Sequence, residues 1–260
     1  MKKEVRNRLI ASLILSSLFS IFVLLLISIT SNSYLVLVVP FLVLIFELLI
    51  KGKQDPFVTL LLTLLLVLLN SHLMVSPFIL SFLMLFVPVY YFKDYSTKEM
   101  IEKLGFRNSL LRAIIFSIIS LVPLFVLYVI IALISNYLGL DDSQQVVDKV
   151  LDLPVYLWAY AVIVAPLVEE VFFRSFLPFL FMSKTRFLSP LKSEIVSSFL
   201  ATILFSLAHF SYGSVFELLG TFFLGYALYV TYRVSNDIKV PIIIHMIINL
   251  ISIIAMHLVM

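Results

Sequence analysis

Apolar runs long enough to cross a bilayer, broken by short charged or turn-rich connections, follow one another along almost the whole chain. They cover 9–30, 34–50, 57–70, 77–92, 110–135, 154–182, 193–211, 214–232 and 240–260. Continuous apolar runs of this length predict membrane-spanning helices. The chain therefore reads as an all-α, polytopic transmembrane bundle of about nine spans. The third run is the shortest: about 14 residues rise only about 21 Å, against a hydrocarbon core of about 30 Å. Unless it extends to Val75, the count is eight.

The placement of Lys and Arg tests this map independently of hydropathy. With the N-terminus cytoplasmic, alternate connections hold Lys2, Lys3, Arg6 and Arg8; Lys51 and Lys53; Lys93, Lys98, Lys103, Arg107 and Arg112; Lys184, Arg186 and Lys192; and Arg233 and Lys239. These are 16 of the 18 positive residues, and only Lys149 falls on the other side while Arg174 lies inside a span. Such asymmetry is the positive-inside pattern, and it sets the N-terminus in and the C-terminus out. Tyr90, Tyr91, Tyr156, Trp158 and Tyr160 fall at expected boundaries and read as interfacial anchors. The connections 141–153 and 96–105 each read as a short surface helix, the first with Val147, Val150 and Leu151 on one face.

Composition agrees: 62% of the 260 residues are hydrophobic and 13% charged, with a mean hydropathy of +1.16. A water-soluble domain of that make-up would aggregate, so a multi-pass membrane protein is the class left. The chain has no cysteine, which removes disulfides, thiolate metal sites and cysteine nucleophiles together. No internal repeat marks a transporter fold, and no nucleic-acid partner is expected. The lipid bilayer is the surrounding partner.

Within the run 154–182, Glu169, Glu170 and Arg174 place three ionisable groups in six residues. Each costs roughly 2.5–3.5 kcal/mol near the bilayer centre on insertion scales, so such residues are retained for a task. Four-residue spacing lets Glu170 and Arg174 pair along one face, while Glu169 projects about 100° away with no local partner. A buried carboxylate without a cation is a candidate for chemistry. Later spans carry Phe205-x-x-x-His209 and His245-x-x-x-Asn249, each a pair on one helical face. By residue count from the inner ends of their spans, Glu169 and His209 lie about 20 and 24 Å up, but His245 only about 8–12 Å. Convergence of the three therefore requires a tilted or deeper-starting last helix. Glu47 reads as a bundle contact or a group snorkelling towards Lys51 and Lys53, and His72 and His257 as interfacial. Glu217 sits near the outer end of its span.

The ordered set Glu-Glu-x-x-x-Arg, Phe-x-x-x-His and His-x-x-x-Asn, on three separate helices, resembles the CPBP family of intramembrane proteases. That family includes the type II CAAX prenyl endopeptidases and bacterial bacteriocin-processing and self-immunity proteins. The resemblance covers 152–260, with a leading edge at Lys103-Leu104-Gly105; the chain is thus divided into N-terminal helices (1–108) and a protease core (109–260). It implies that Glu169 and His209 hold and deprotonate a water, that Glu170 and Arg174 brace the helix, and that His245 and Asn249 bind the developing oxyanion. It implies an endopeptidase acting on a membrane-associated peptide or protein in a bacterial cytoplasmic membrane. No cofactor is required on this reading; the family's older metalloprotease label offers one zinc on Glu169, His209 and His245. A rival of another class keeps the fold without turnover, as an immunity protein that binds a bacteriocin or a sensor kinase.

Overall fold

The computed structural model describes residues 77–140, 142–209 and 212–259. The expected spans at 9–30, 34–50 and 57–70, together with Glu47 and His72, lie outside the described residues. The chain divides into two units, Met1–Pro77 and Phe78–Met260, and the described secondary structure of the second is helical.

Its helices are α1 (Pro77–Tyr91), α2 (Thr97–Lys103), α3 (Leu110–Tyr137), α4 (Gln144–Leu151), α5 (Val155–Lys184), α6 (Pro190–Ala208), α7 (Val215–Ser235) and α8 (Lys239–Val259). Five of them, α3 and α5 to α8, are long and apolar enough to cross a membrane. The protein is membrane-embedded.

Local chemistry sets most of the boundaries. Ser96 caps α2 through a capping box: its hydroxyl accepts from the Glu99 N–H, while the Glu99 carboxylate accepts from the Ser96 N–H. Ser109 and Ser214 cap α3 and α7 in the simpler way. Asn236, left-handed at φ 55°, ends α7, as expected of the residue type that tolerates that conformation best after glycine.

Two sets of connections gather at opposite ends. At one, the Ile238 N–H donates to the Gly105 carbonyl at 2.9 Å, the Asn108 N–H to Asp237 at 2.7 Å, and Arg107 to Asn236. Gly105 is at φ +95°, and a Cβ there would stand 2.6 Å from the Tyr232 hydroxyl, so only glycine fits the approach. At the other end, Asp142 accepts from the Ser214 hydroxyl and from the N–H groups of Val215 and Phe216, while Lys149 donates to the Tyr212 carbonyl at 2.8 Å.

Packing between helices uses small residues, as expected where lipid removes the hydrophobic drive for association. α6 buries Ser193, Ser197, Ser198, Ala201, Thr202 and Ser206, and the Ser117 hydroxyl of α3 reaches the Val240 carbonyl of α8 at 3.2 Å. Ala113, Leu124, Leu228, Val240 and Ile244 join α3, α7 and α8 in one apolar cluster.

Three local expectations change. α5 is a single span but not a uniform α-helix: two π-helical turns, Tyr160–Val164 and Val171–Phe176, flank the Glu169–Glu170 pair. α4 turns Val146 inward as its buried residue, because the segment packs on the protein. Trp158 and Tyr160 are more than surface anchors: the Trp158 N–H donates to the Val150 carbonyl, and the Tyr160 hydroxyl bonds Ser81.

Candidate active site

The centre of α5 is the most deeply buried stretch described, with all eight residues from Val171 to Pro178 in the interior. A π turn widens the helix by one residue per turn, and such turns recur at functional sites. Here one ends just before Ala165 and the next begins just after Glu170, so the two carboxylates occupy a six-residue α segment, Ala165–Glu170, between them.

Glu170 is completely buried and meets two partners. Its Oε2 lies 3.2 Å from Arg174 Nε, and its Oε1 is 2.8 Å from His245 Nδ1. The Arg174 contact is at ion-pair distance without hydrogen-bond alignment, and none of the guanidinium nitrogens has a hydrogen-bond partner. The cation is stabilised by other means: its carbon lies 4.0 Å from the centre of the Phe205 ring, a cation–π contact in a dry setting. Glu170 is therefore more than a local brace for its own helix. Ion-paired to Arg174, it is the acceptor for His245, so His245 Nδ1 carries a proton and Nε2 points away from Glu170.

That second nitrogen faces Glu169, whose Oε2 is 3.9 Å away. Glu169 is partly open, with a fifth of its side chain exposed, whereas Glu170 has none. Adjacent carboxylates therefore have unlike surroundings, the inner one held by Arg174 and His245 and the outer one reachable.

The contact between α5 and α8 removes the depth mismatch of the residue count. His245 is six residues into α8, about 9 Å by helical rise, and Glu170 is fourteen residues from the Lys184 end of α5, about 21 Å. They meet nonetheless, with Glu170 Oε1 2.8 Å from His245 Nδ1, and Asp237, Ile238 and Val240 where α8 begins are all buried.

His209 terminates α6 as its C-cap, one residue beyond Ala208, where a span running to 211 was expected. Its Nδ1 is 2.9 Å from the Phe205 carbonyl, and its ring lies 4.7 Å from the Phe205 ring and stacks on Tyr212 at 6.0 Å. Phe205 also contacts His245, ring to ring at 6.1 Å. One aromatic ring thus touches Arg174, His209 and His245. Burial, and then the charges of Glu217 and Glu169, push the Tyr212 phenol up to about 12, which keeps it a neutral hydroxyl beside His209.

Asn249 donates through Nδ2 to the Ala161 carbonyl at 2.8 Å. Ala161 lies in the first π turn of α5, so this bond ties α8 to the distorted helix four residues from His245. Glu217 sits in the first turn of α7, where its N–H is capped by Ser214, and His257 packs against Trp158 at 4.5 Å. Among the described residues no three His, Asp or Glu side chains are grouped to hold a metal.

Sequence spacing anticipated the Glu170–Arg174 pair and the helices that bear the histidines. It gave no sign of the Glu170–His245 bond, of Tyr212 beside His209, or of the Ala161 carbonyl as partner for Asn249. All three join residues at least three positions apart across a break in helical geometry or on different helices.

Residues 151–251 match the family model described as type II CAAX prenyl endopeptidase, Rce1-like. This is consistent with the CPBP and CAAX protease resemblance carried by the three motifs, and the matched segment contains every residue of the site above. No curated protein and no solved structure matches the chain.

Proposed function

We propose that this membrane-embedded protein of CAAX-protease type is an intramembrane endopeptidase that hydrolyses a peptide bond of a membrane-associated peptide or protein with a water activated by Glu169 and His209. The observation that carries the reading is the contrast between Glu170, sealed between Arg174 and His245, and Glu169, left partly open opposite His245 Nε2. A general base must reach its water. Only the outer carboxylate can.

In this mechanism Glu169 takes a proton from a water positioned with His209, and the hydroxide adds to the carbonyl carbon of the scissile bond. The carbonyl oxygen becomes an oxyanion. His245 Nδ1–H donates to Glu170, and the proton that Glu169 has taken from the water is shared with His245 Nε2, 3.9 Å from Glu169 Oε2, so that Nε2 donates to the oxyanion until the same proton returns for the leaving amine. Asn249 Nδ2 has two hydrogens; one is given to Ala161 and the other is free to join His245 at the oxyanion. Collapse of the tetrahedral intermediate breaks the C–N bond, and the proton first taken by Glu169 passes to the departing amine. The substrate class suggested by the family description is a prenylated peptide ending in a CAAX sequence. The setting proposed is a bacterial cytoplasmic membrane, with no metal required.

The test is cleavage of a farnesylated CAAX peptide by purified protein in liposomes. Glu169→Gln and His209→Ala are expected to reduce turnover by about 10²–10⁴-fold, the usual weight of general acid–base catalysis, with membrane abundance unchanged. Asn249→Ala is expected to lower turnover by about 10²-fold with little change in KM. EDTA should leave turnover intact. Stoichiometric zinc with chelator-sensitive turnover would replace this mechanism by a metal-assisted one. Full turnover in Glu169→Gln would overturn the role of Glu169, and partner binding that survives in an inert wild-type protein would favour the immunity reading.

A further inference from the structure

α7 contains two glycines within its span, Gly220 and Gly225. Glycine in a helix interior costs about 1 kcal/mol relative to alanine, so each calls for a reason. They differ sharply in surroundings. A Cβ built on Gly220 meets nothing within 4 Å, whereas one on Gly225 stands 3.0 Å from Phe205 Cδ1 and 3.2 Å from Arg174 Nη2. Both distances are tighter than ordinary van der Waals contact, and both neighbours are buried in the close-packed interior, where a shift of one side chain is passed to the next.

We infer that Gly225 is a positioning residue of the candidate site: its bare backbone admits the stacked Arg174 guanidinium and Phe205 ring, and so sets where His209 and His245 stand. The inference rests on the proposed hydrolase reading for its consequence in catalysis, but not for its geometry. Among the described residues Phe205 is the one side chain whose ring contacts both imidazoles, at 4.7 Å from His209 and 6.1 Å from His245. Arg174 in turn holds Glu170, and Glu170 holds His245 Nδ1. A methyl at 225 must push the ring, the guanidinium or both by a few tenths of an ångström. Either displacement reaches His245, by the ring directly or through Glu170, and the first also reaches His209. Gly225 touches no reacting group itself.

The chain has four histidines, which makes an imidazole spectrum of the full-length protein, ¹⁵N-labelled at histidine in detergent micelles, simple enough to read. Signals are assigned with His209→Gln and His245→Gln. Gly225→Ala is expected to move the His245 signal, with His209 following if the ring shifts, and to leave His257 in place. Gly220→Ala, with the same change in helix propensity, is expected to move none. In peptide cleavage, Gly225→Ala should lower kcat at least tenfold with KM within twofold of the parent, and Gly220→Ala should match the parent.

Phe205→Leu provides the control for folding, because the smaller side chain removes the ring from the path of the methyl and leaves Arg174 Nη2, at 3.2 Å, as its close neighbour. In that background Gly225→Ala should accumulate normally and leave the His209 signal in place, any further shift being confined to His245 through Arg174 and Glu170. Unchanged His209 and His245 signals in Gly225→Ala, or equal effects of the two alanines, would overturn the inference. So would a Gly225→Ala protein whose His209 signal shifts as far in the Phe205→Leu background as in the parent, since the ring is then not what the methyl displaces. Shifted signals without any cleavage by the parent protein would uphold the positioning role and count against the hydrolase reading alone.

Discussion

Helices α3 and α5 are both long enough to cross a bilayer, yet they use their surfaces in opposite ways. α3 is the more apolar of the two and the less buried. Over 28 residues it buries only Ala113, Ser117, Leu124, Ile131 and Ser135, and leaves Ile119, Val122, Phe125 and Leu133 each more than 60% exposed. α5 has the lower hydropathy, carries Glu169, Glu170 and Arg174 in its middle, and buries every residue from Glu170 to Pro178. In a water-soluble protein the most apolar helix would be the innermost one. Lipid reverses that order: apolar side chains lose nothing by facing hydrocarbon, whereas charged ones must face protein partners. In this bundle, polarity marks the inside, and the costliest polar groups mark the site.

The comparison can be broken most severely at Arg174. Arg174→Ala leaves the Glu170 carboxylate buried without its cation, an uncompensated charge that typically costs about 3–5 kcal/mol. Abundance and the thermal midpoint in detergent should fall together, and Arg174→Lys should recover only part, because an ammonium cannot lie flat on the Phe205 ring. Normal abundance and an unchanged midpoint in Arg174→Ala would show that the pair does not hold α5 together.

A paired substitution sharpens the contrast with neutral side chains. Phe172→Ala, in the buried centre of α5, should cost about 3–5 kcal/mol as a cavity opens in close-packed surroundings. Phe125→Ala, 68% exposed on α3, should stay within about 0.5 kcal/mol, as surface substitutions do. Thermal midpoints in the same detergent measure both. Equal losses would mean that Phe125 is covered by protein and that the face of α3 is not a lipid surface.

The smallest effect belongs to the ends of the helices. The Ser214 hydroxyl, followed by the Val215 and Phe216 N–H groups, holds the Asp142 carboxyl below its ordinary value of 3.8. A carboxylate favoured by the fold contributes stability that is fully present above its unfolded pKa and lost as pH falls through the folded one. Asp142→Asn should therefore lower the thermal midpoint modestly at neutral pH, and the gap to the parent should close on acidification below about 4. A gap that stays constant down to about pH 3 would show that the bonds are geometric and not charge-dependent.

How much of this was legible beforehand differs from one residue to the next. The Ser96–Glu99 capping box, the pairing of Glu170 with Arg174 and the helical runs themselves are local features, set within four residues of chain. Sequence alone determined them, because helix geometry converts spacing directly into contact. It also determined which residues are chemically out of place, since a carboxylate in an apolar run is costly whatever packs around it. The tertiary structure alone decided that His245 binds Glu170, that Asn249 binds Ala161, and that Phe205 stands among Arg174 and two histidines. Those contacts depend on where α8 packs against α5 and on two π turns that rotate the faces of α5. Neither has a local signature: the first is set by the buried Asp237–Ile238 connection, and in the first π turn the Ala161 carbonyl meets a donor, Asn249, from another helix.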